Sequence, residues 1–241
     1  MLMLVLLILL TFLVFCHRFD EYTPLEETCR AMNRVIEDNK AFYWGTSEWK
    51  ASQIVAAFEI CERFGLIKPI VEQPQYNMLF RNKFESEYSH LFKNYRLGTT
   101  TWSPLMSGIL TGKYINETPK GSRGDGPSEA ELHFKFYNND KKNIDEKLTK
   151  LKGVADKLGC SLAVLCIAWI IKNPDVSTCL VGCSRVEQLH ENLKAVEIMD
   201  KLTPEHEVEI EAILQNTPSK EWDWRDFKEG PGRRETLLGK K

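Results

Sequence analysis

The residues best placed to do chemistry stand at the ends of short apolar runs. His17 and Arg18 follow the run 12–16, and Ser47 follows 41–44 and the Gly45 break. Gln73 closes 70–73, Trp102 and Ser103 close 98–102, and Gly182 and Ser184 follow 177–181. If those runs are parallel strands, ligands bind beyond their carboxyl ends. Polar groups at five successive run ends are more than a core needs, and they could converge on one ligand.

Gly182-Cys183-Ser184 lies between a strand pattern and a helix pattern. A glycine there lets backbone approach a ligand closely, and a helix start presents free N–H groups to an anion. Lys113, Arg123 and Arg185 could add positive charge for a phosphate-bearing cofactor. Ser184 would equally serve only as a helix cap. Trp102 could stack on a flat heteroaromatic ring or be ordinary core. His17 could act as acid, base or hydrogen-bond donor to a reacting oxygen, although a lone histidine is often structural. Asn116-Glu117-Thr118 fits the glycosylation acceptor pattern, a common match in the wrong compartment for a reduced-thiol protein.

The elements that must position these groups read as alternating strands and helices. Thr23-Pro24-Leu25-Glu26 has the form of a capping box opening a helix to about Asn39. A helix over 51–64 puts Ile54, Ala57, Phe58, Cys61 and Phe64 on one face and stops at Gly65. Further helices are expected over 82–93, over 143–158 and from Ser161 to before Pro174. Another runs from the Ser184-Arg185-Val186-Glu187 capping box to about Val196, and a last one from Thr203-Pro204 to about Leu214. Residues 114–140, with Pro119, Gly121, Gly124, Gly126 and Pro127, read as a long loop. Strand–helix alternation with right-handed crossovers gives a parallel sheet. About five such units are countable, so the alternatives are a five-stranded doubly wound sheet or an incomplete barrel.

Bulk properties are those of a globular α/β protein: 241 residues, 43% hydrophobic, 27% charged, net charge −2. No basic run suggests nucleic acid. The odd count of seven cysteines, none in a Cys-x-x-Cys pair, reads as buried thiols in a reducing compartment. Met1 to Cys16 carry no charge. As a helix this run would span about 24 Å, against a hydrocarbon core of roughly 30 Å. A buried strand preceded by extra apolar residues and a membrane anchor are the two readings. A secretory signal fits poorly, without a basic start or a cleavage site. The expected organisation is an apolar segment 1–11, a domain 12–215 and a polar tail 216–241.

The strings Arg18-Phe19-Asp20, Thr23-Pro24-Leu25-Glu26-Glu27-Thr28 and Arg30-Ala31-Met32 resemble the middle of the voltage-gated potassium-channel beta subunits, members of the aldo-keto reductase superfamily. Tyr43-Trp44-Gly45-Thr46-Ser47 with Trp49, Thr101-Trp102-Ser103-Pro104-Leu105 with Gly108, and Gly112-Lys113-Tyr114 continue the match. So do Leu158-Gly159-Cys160, Ala168-Trp169 and Glu187-Gln188-Leu189 with Glu191-Asn192. The similarity runs over about 12–215, in the family's order and spacing. It implies a (β/α)₈ TIM barrel, here about the last five units. It also implies NADP(H), hydride transfer to an aldehyde or ketone, and a cytoplasmic homotetramer beneath a channel alpha subunit at the plasma membrane. By position, Ser47 and Gln73 would hold the nicotinamide amide and Trp102 would pack beside the cofactor. Ser103, Pro104, Leu105, Met106 and Ser107, with Lys113 and Arg123, would wrap its phosphates. Gly182, Ser184, Gln188, Glu191 and Asn192 would hold the adenosine end.

The resemblance has departures. The family carries three more strand–helix units in front, with the Asp, Tyr and Lys of its reductase tetrad, and these have no counterpart here. Tyr is the expected proton donor, and losing a general acid costs about 10²–10⁴-fold in rate. His17 stands at the fourth, catalytic tetrad position and borders the cofactor; reductases carry His there, channel subunits usually Asn. Glu48 stands where the channel subgroup has Arg, and a carboxylate there would not favour phosphates. Met1 to Leu10 match nothing in the family, as an alternative start or an incomplete gene would give. Exposed apolar faces and open sheet edges would then make the chain poorly soluble or dependent on a partner. Three functions compete: a regulatory, cofactor-binding channel subunit impaired in catalysis; an active NADPH-dependent carbonyl reductase; and an anchored interaction protein using residues 1–16.

Overall fold

Alternation along Ala41–Ser47 sends Trp44 and Thr46 to one face and Tyr43, Gly45 and Ser47 to the other. This is strand β2. A computed structural model describes residues 11–126 and 131–219. The apolar run 1–10, Pro127 and the tail from 220 lie outside the described residues. The other strands are β1 (Thr11–Cys16), β3 (Val71–Gln73), β4 (Gly98–Thr101) and β5 (Thr178–Cys179). They form one parallel sheet in the order β1-β2-β3-β4-β5. Registers such as Phe15↔Gly45, Ser47↔Gln73, Glu72↔Thr99 and Thr101↔Cys179 align the carboxyl ends.

That order decides between the two architectures. A doubly wound sheet reverses its order at a switch point, and no reversal occurs among the described strands. Each strand lies beside the next in sequence, as in a (β/α) barrel. The chain is a sector of such a barrel.

Helices α1 (Leu25–Glu37) and α2 (Ala51–Phe64) cover β1 and β2. Cys29, Trp44, Trp49, Ile54, Phe58, Cys61 and Leu91 form the core between them. Gly65 takes φ +64° at the end of α2, where the Leu66 N–H reaches the Cys61 carbonyl at 2.8 Å. A second core lies among α5 (Lys141–Lys157), α6 (Leu162–Lys172), α8 (Ala195–Met199) and α9 (Pro204–Leu214). Helix α6 is apolar nearly all round and accordingly buried: Leu165, Cys166, Ala168 and Ile170 are fully inaccessible. Each large apolar side chain so buried contributes roughly 1.5–3 kcal/mol. Ser161 caps this helix as expected, accepting from the Val164 N–H at 3.3 Å.

Several local expectations are corrected. Thr23 does not cap α1: its hydroxyl donates to Asp20 at 2.7 Å, and Pro24 occupies the cap position. Ser184 does not cap α7 (Val186–Leu193), because its hydroxyl donates to the Gln188 side chain at 3.2 Å and Arg185 takes the cap position. That helix breaks at Lys194 before α8. The helix expected over 82–93 is a π turn (Lys83–Glu87) followed by α3 (Ser89–Tyr95). The long polar stretch contains α4 (Glu131–Asn139). Strand β2 runs through Gly45 to Ser47, and β5 is shorter than Ser177 to Val181.

Candidate functional site

The carboxyl ends of β2, β3 and β4 meet around one carboxylate. Glu48, directly after β2, takes φ +61°, a conformation side chains adopt at some cost. Its side chain is 11% exposed. One oxygen accepts the indole N–H of Trp102 at 2.8 Å and the backbone N–H of Gln75. The other meets the Lys83 ammonium at 2.9 Å and the Arg18 guanidinium at 3.5 Å. Burial pushes its pKa up, but Lys83, the Gln75 N–H and the indole outweigh that and hold it below the ordinary carboxylate value. Its charge is compensated locally by Lys83 and Arg18.

Ser47 and Gln73 are adjacent in register. The Ser47 hydroxyl donates to the Gln73 carbonyl at 2.9 Å, and the Gln73 amide donates to Thr100 at 3.3 Å. His17 is exposed at the end of β1, and its carbonyl accepts the Trp49 indole N–H at 3.3 Å. Beyond β4 the backbone takes positive φ at Ser103, Met106, Ser107 and Gly108. Outliers of this kind gather at ligand sites. Asn77 pins the bend by donating to the Ser103 carbonyl at 3.0 Å. Met106 sends its side chain into the core, and Leu105 packs against that core, so this stretch offers a ligand mainly backbone and the Ser107 hydroxyl.

His133, on α4, was missed in the sequence. Its ring lies 6.1 Å from that of Trp102, with Nε2 3.0 Å from the Gln75 side-chain nitrogen and Nδ1 2.7 Å from the Ser107 hydroxyl. Burial first, then Arg123, pushes its pKa below the ordinary histidine value. With the Gln75 amide nitrogen donating to Nε2, Nδ1 is left facing the Ser107 hydroxyl. No sequence signal flagged His133, since it lies in a polar stretch far along the chain from Ser107.

Lys113 extends over the Tyr114 ring, 4.9 Å from its centroid, and lies against Gly108. The buried hydroxyls of Tyr114 and Ser122 have no hydrogen-bond partner among the described residues. Each is next in sequence to a cation, Lys113 or Arg123. Past β5, the Ser184 N–H donates to Gln188 at 2.9 Å, and buried Asn192 reaches the Cys183 sulfur at 3.3 Å. Gly182 has open space where a Cβ would stand. Glu191 is exposed on the same helix. Trp102, Ser103 to Ser107 and Lys113 thus belong to one contiguous region after β4, and Gly182, Ser184, Gln188 and Asn192 to another after the neighbouring β5. Cations, partnerless hydroxyls and irregular backbone in this arrangement suit an extended phosphate-bearing ligand. The described residues hold no cluster of His, Cys, Asp and Glu fit for a metal.

A consecutively ordered parallel sheet, with its polar groups at the carboxyl strand ends, defines the α/β-barrel class. The model of the aldo/keto reductase family matches residues 12–215, and the chain belongs to that family. It is 46% identical over 217 residues to a rice (Oryza sativa subsp. japonica) protein named "Probable voltage-gated potassium channel subunit beta". It is 45% identical over 217 residues to an Arabidopsis thaliana protein of the same name. Each match covers 88% of this chain and 64% of the relative, so the chain spans less than two thirds of their length. Among the described residues no single helix is long and apolar enough to cross a membrane.

Proposed function

We propose that this chain is the cofactor-binding portion of a regulatory beta subunit of a voltage-gated potassium channel, with NADP(H) as the cofactor. The whole protein would act as a homotetramer with a channel alpha subunit at the cytoplasmic face of the plasma membrane. The names of the rice and Arabidopsis relatives support the channel role. The observation that carries the cofactor reading is the ring of groups at the strand ends. Ser47 and Gln73 are adjacent, Trp102 is held by Glu48, the residue after Ser47, and Lys113 and Arg123 are next in sequence to Tyr114 and Ser122, whose buried hydroxyls have no partner among the described residues.

When bound, the cofactor supplies hydride for an aldehyde or ketone. In this reading Ser47 and Gln73 hold the nicotinamide amide, and Trp102 gives it a flat wall. The Ser103–Ser107 backbone, Lys113 and Arg123 neutralise the phosphates. Gly182, Ser184, Gln188, Glu191 and Asn192 hold the adenosine end. His17 donates a hydrogen bond at the reacting oxygen. Proton delivery by a Tyr–Lys–Asp set falls to residues without counterpart in this chain, so turnover by the chain alone is impaired. Residues 12–215 make up the binding domain in this reading.

Titration with NADPH, followed by its fluorescence, tests the proposal. Lys113→Met is expected to weaken binding about tenfold, the order of one charge-assisted hydrogen bond. Undiminished binding in that variant would sink the phosphate assignment. A second reading, an active NADPH-dependent carbonyl reductase, draws on His17 at the end of β1. NADPH oxidation that depends on an added aldehyde and falls in His17→Ala would favour it.

A further inference from the structure

We propose that Glu48 is a positioning residue that holds the N–H edge of the Trp102 indole in place and, through it, sets the affinity of the site for a nicotinamide. The inference rests on the cofactor reading above and adds a residue to it. Four structural positions converge on this one carboxylate: Arg18 after β1, the Gln75 N–H after β3, Lys83 on the π turn and Trp102 after β4. An indole has a single N–H donor, so the bond to Glu48 fixes where the N–H edge of the ring points. The carboxylate is itself held from the opposite side by two cations, which keeps it ionised and fixed. Its φ of +61° is a costly conformation for a glutamate. His133 approaches the Trp102 ring but bonds Gln75 and Ser107 rather than the indole nitrogen. Glu48 therefore accounts for the only indole N–H bond of Trp102 among the described residues.

A mutant cycle in the 241-residue protein tests this with Glu48→Gln, Trp102→Phe and the double variant. The indole N–H resonance of Trp102, assigned by its loss in Trp102→Phe, is expected to shift in Glu48→Gln while the other indole resonances stay. NADPH affinity is expected to fall about tenfold in Glu48→Gln. In the Trp102→Phe background Glu48→Gln is expected to add no further loss, because the group it acts through is gone. An equal loss in both backgrounds would overturn the proposal, since Glu48 would then act independently of Trp102. So would an unmoved Trp102 resonance. If the resonance moves but neither the parent protein nor any variant binds NADPH, the cofactor reading fails, and the role of Glu48 in it fails too, while the bond itself stands. Far-UV circular dichroism separates each of these from loss of fold.

Discussion

Glu72 lies on β3 with no accessible surface, its carboxylate bonded to the hydroxyls of Thr46 and Tyr88. Burial, offset only in part by the Thr46 hydroxyl and by Lys83, pushes its pKa up to about 7. The folded protein therefore holds this proton more tightly than the unfolded chain does. The stabilisation is complete below the ordinary carboxyl pKa and is lost as pH rises through about 7. Glu72→Gln removes the charge at nearly constant volume. It is expected to be roughly 1–3 kcal/mol more stable than the parent at pH 8 and close to it at pH 4.5, in urea unfolding. An equal difference at both pH values would contradict the burial argument. Ser47, Gln73 and Trp102 could be found in the sequence because they close apolar runs. Two neighbours of the site could not: Lys83, which pairs with Glu48, and His133, whose ring lies near that of Trp102, come from segments whose local pattern carries no functional signal, and they arrive by tertiary packing.

At the scale of elements, close approach between strands explains why β2 contains a glycine. A Cβ on Gly45 would stand 2.5 Å from a Val71 methyl, 2.6 Å from the Val71 carbonyl oxygen and 3.0 Å from the Phe15 ring. Gly45→Ala is therefore expected to destabilise by about 1–3 kcal/mol, as overpacking does; a midpoint unchanged in urea would show that β1 and β3 give way freely. Ser161→Ala, at a cap whose hydroxyl accepts the Val164 N–H, should cost about 1 kcal/mol in the same assay. The Thr23 and Ser184 capping patterns look equivalent in sequence, yet each hydroxyl is taken by a neighbour, Asp20 or Gln188. Short-range pattern shows that a helix begins nearby. Which group satisfies its first N–H depends on how the preceding turn folds.

At the scale of the molecule, apolar surface stays open along both flanks of the sheet. Phe12 on β1 is 69% exposed beside Phe42 and Tyr43 of β2, and beyond β5 Val186, Leu189 and Leu193 are exposed along α7, with Val196 exposed on α8. The 241-residue chain is expected to self-associate as concentration rises, and Val186→Lys with Leu193→Lys is expected to reduce this in sedimentation velocity. A monomer at all concentrations would refute it. The sequence by itself determined the alternation of strand and helix, the strand-end residues and the family, because periodicity and spaced motifs are local properties of the chain. Periodicity alone left a barrel sector and a doubly wound sheet both open; the family resemblance implied the barrel, and the strand order of the tertiary structure shows it, since strand order is a set of long-range pairings. Only the tertiary structure decided the surroundings of Glu48, whose charge is compensated by Lys83 and Arg18, and of the half-buried His133. Charge state and hydrogen-bond partners depend on which distant groups share a desolvated space, and no local pattern encodes that.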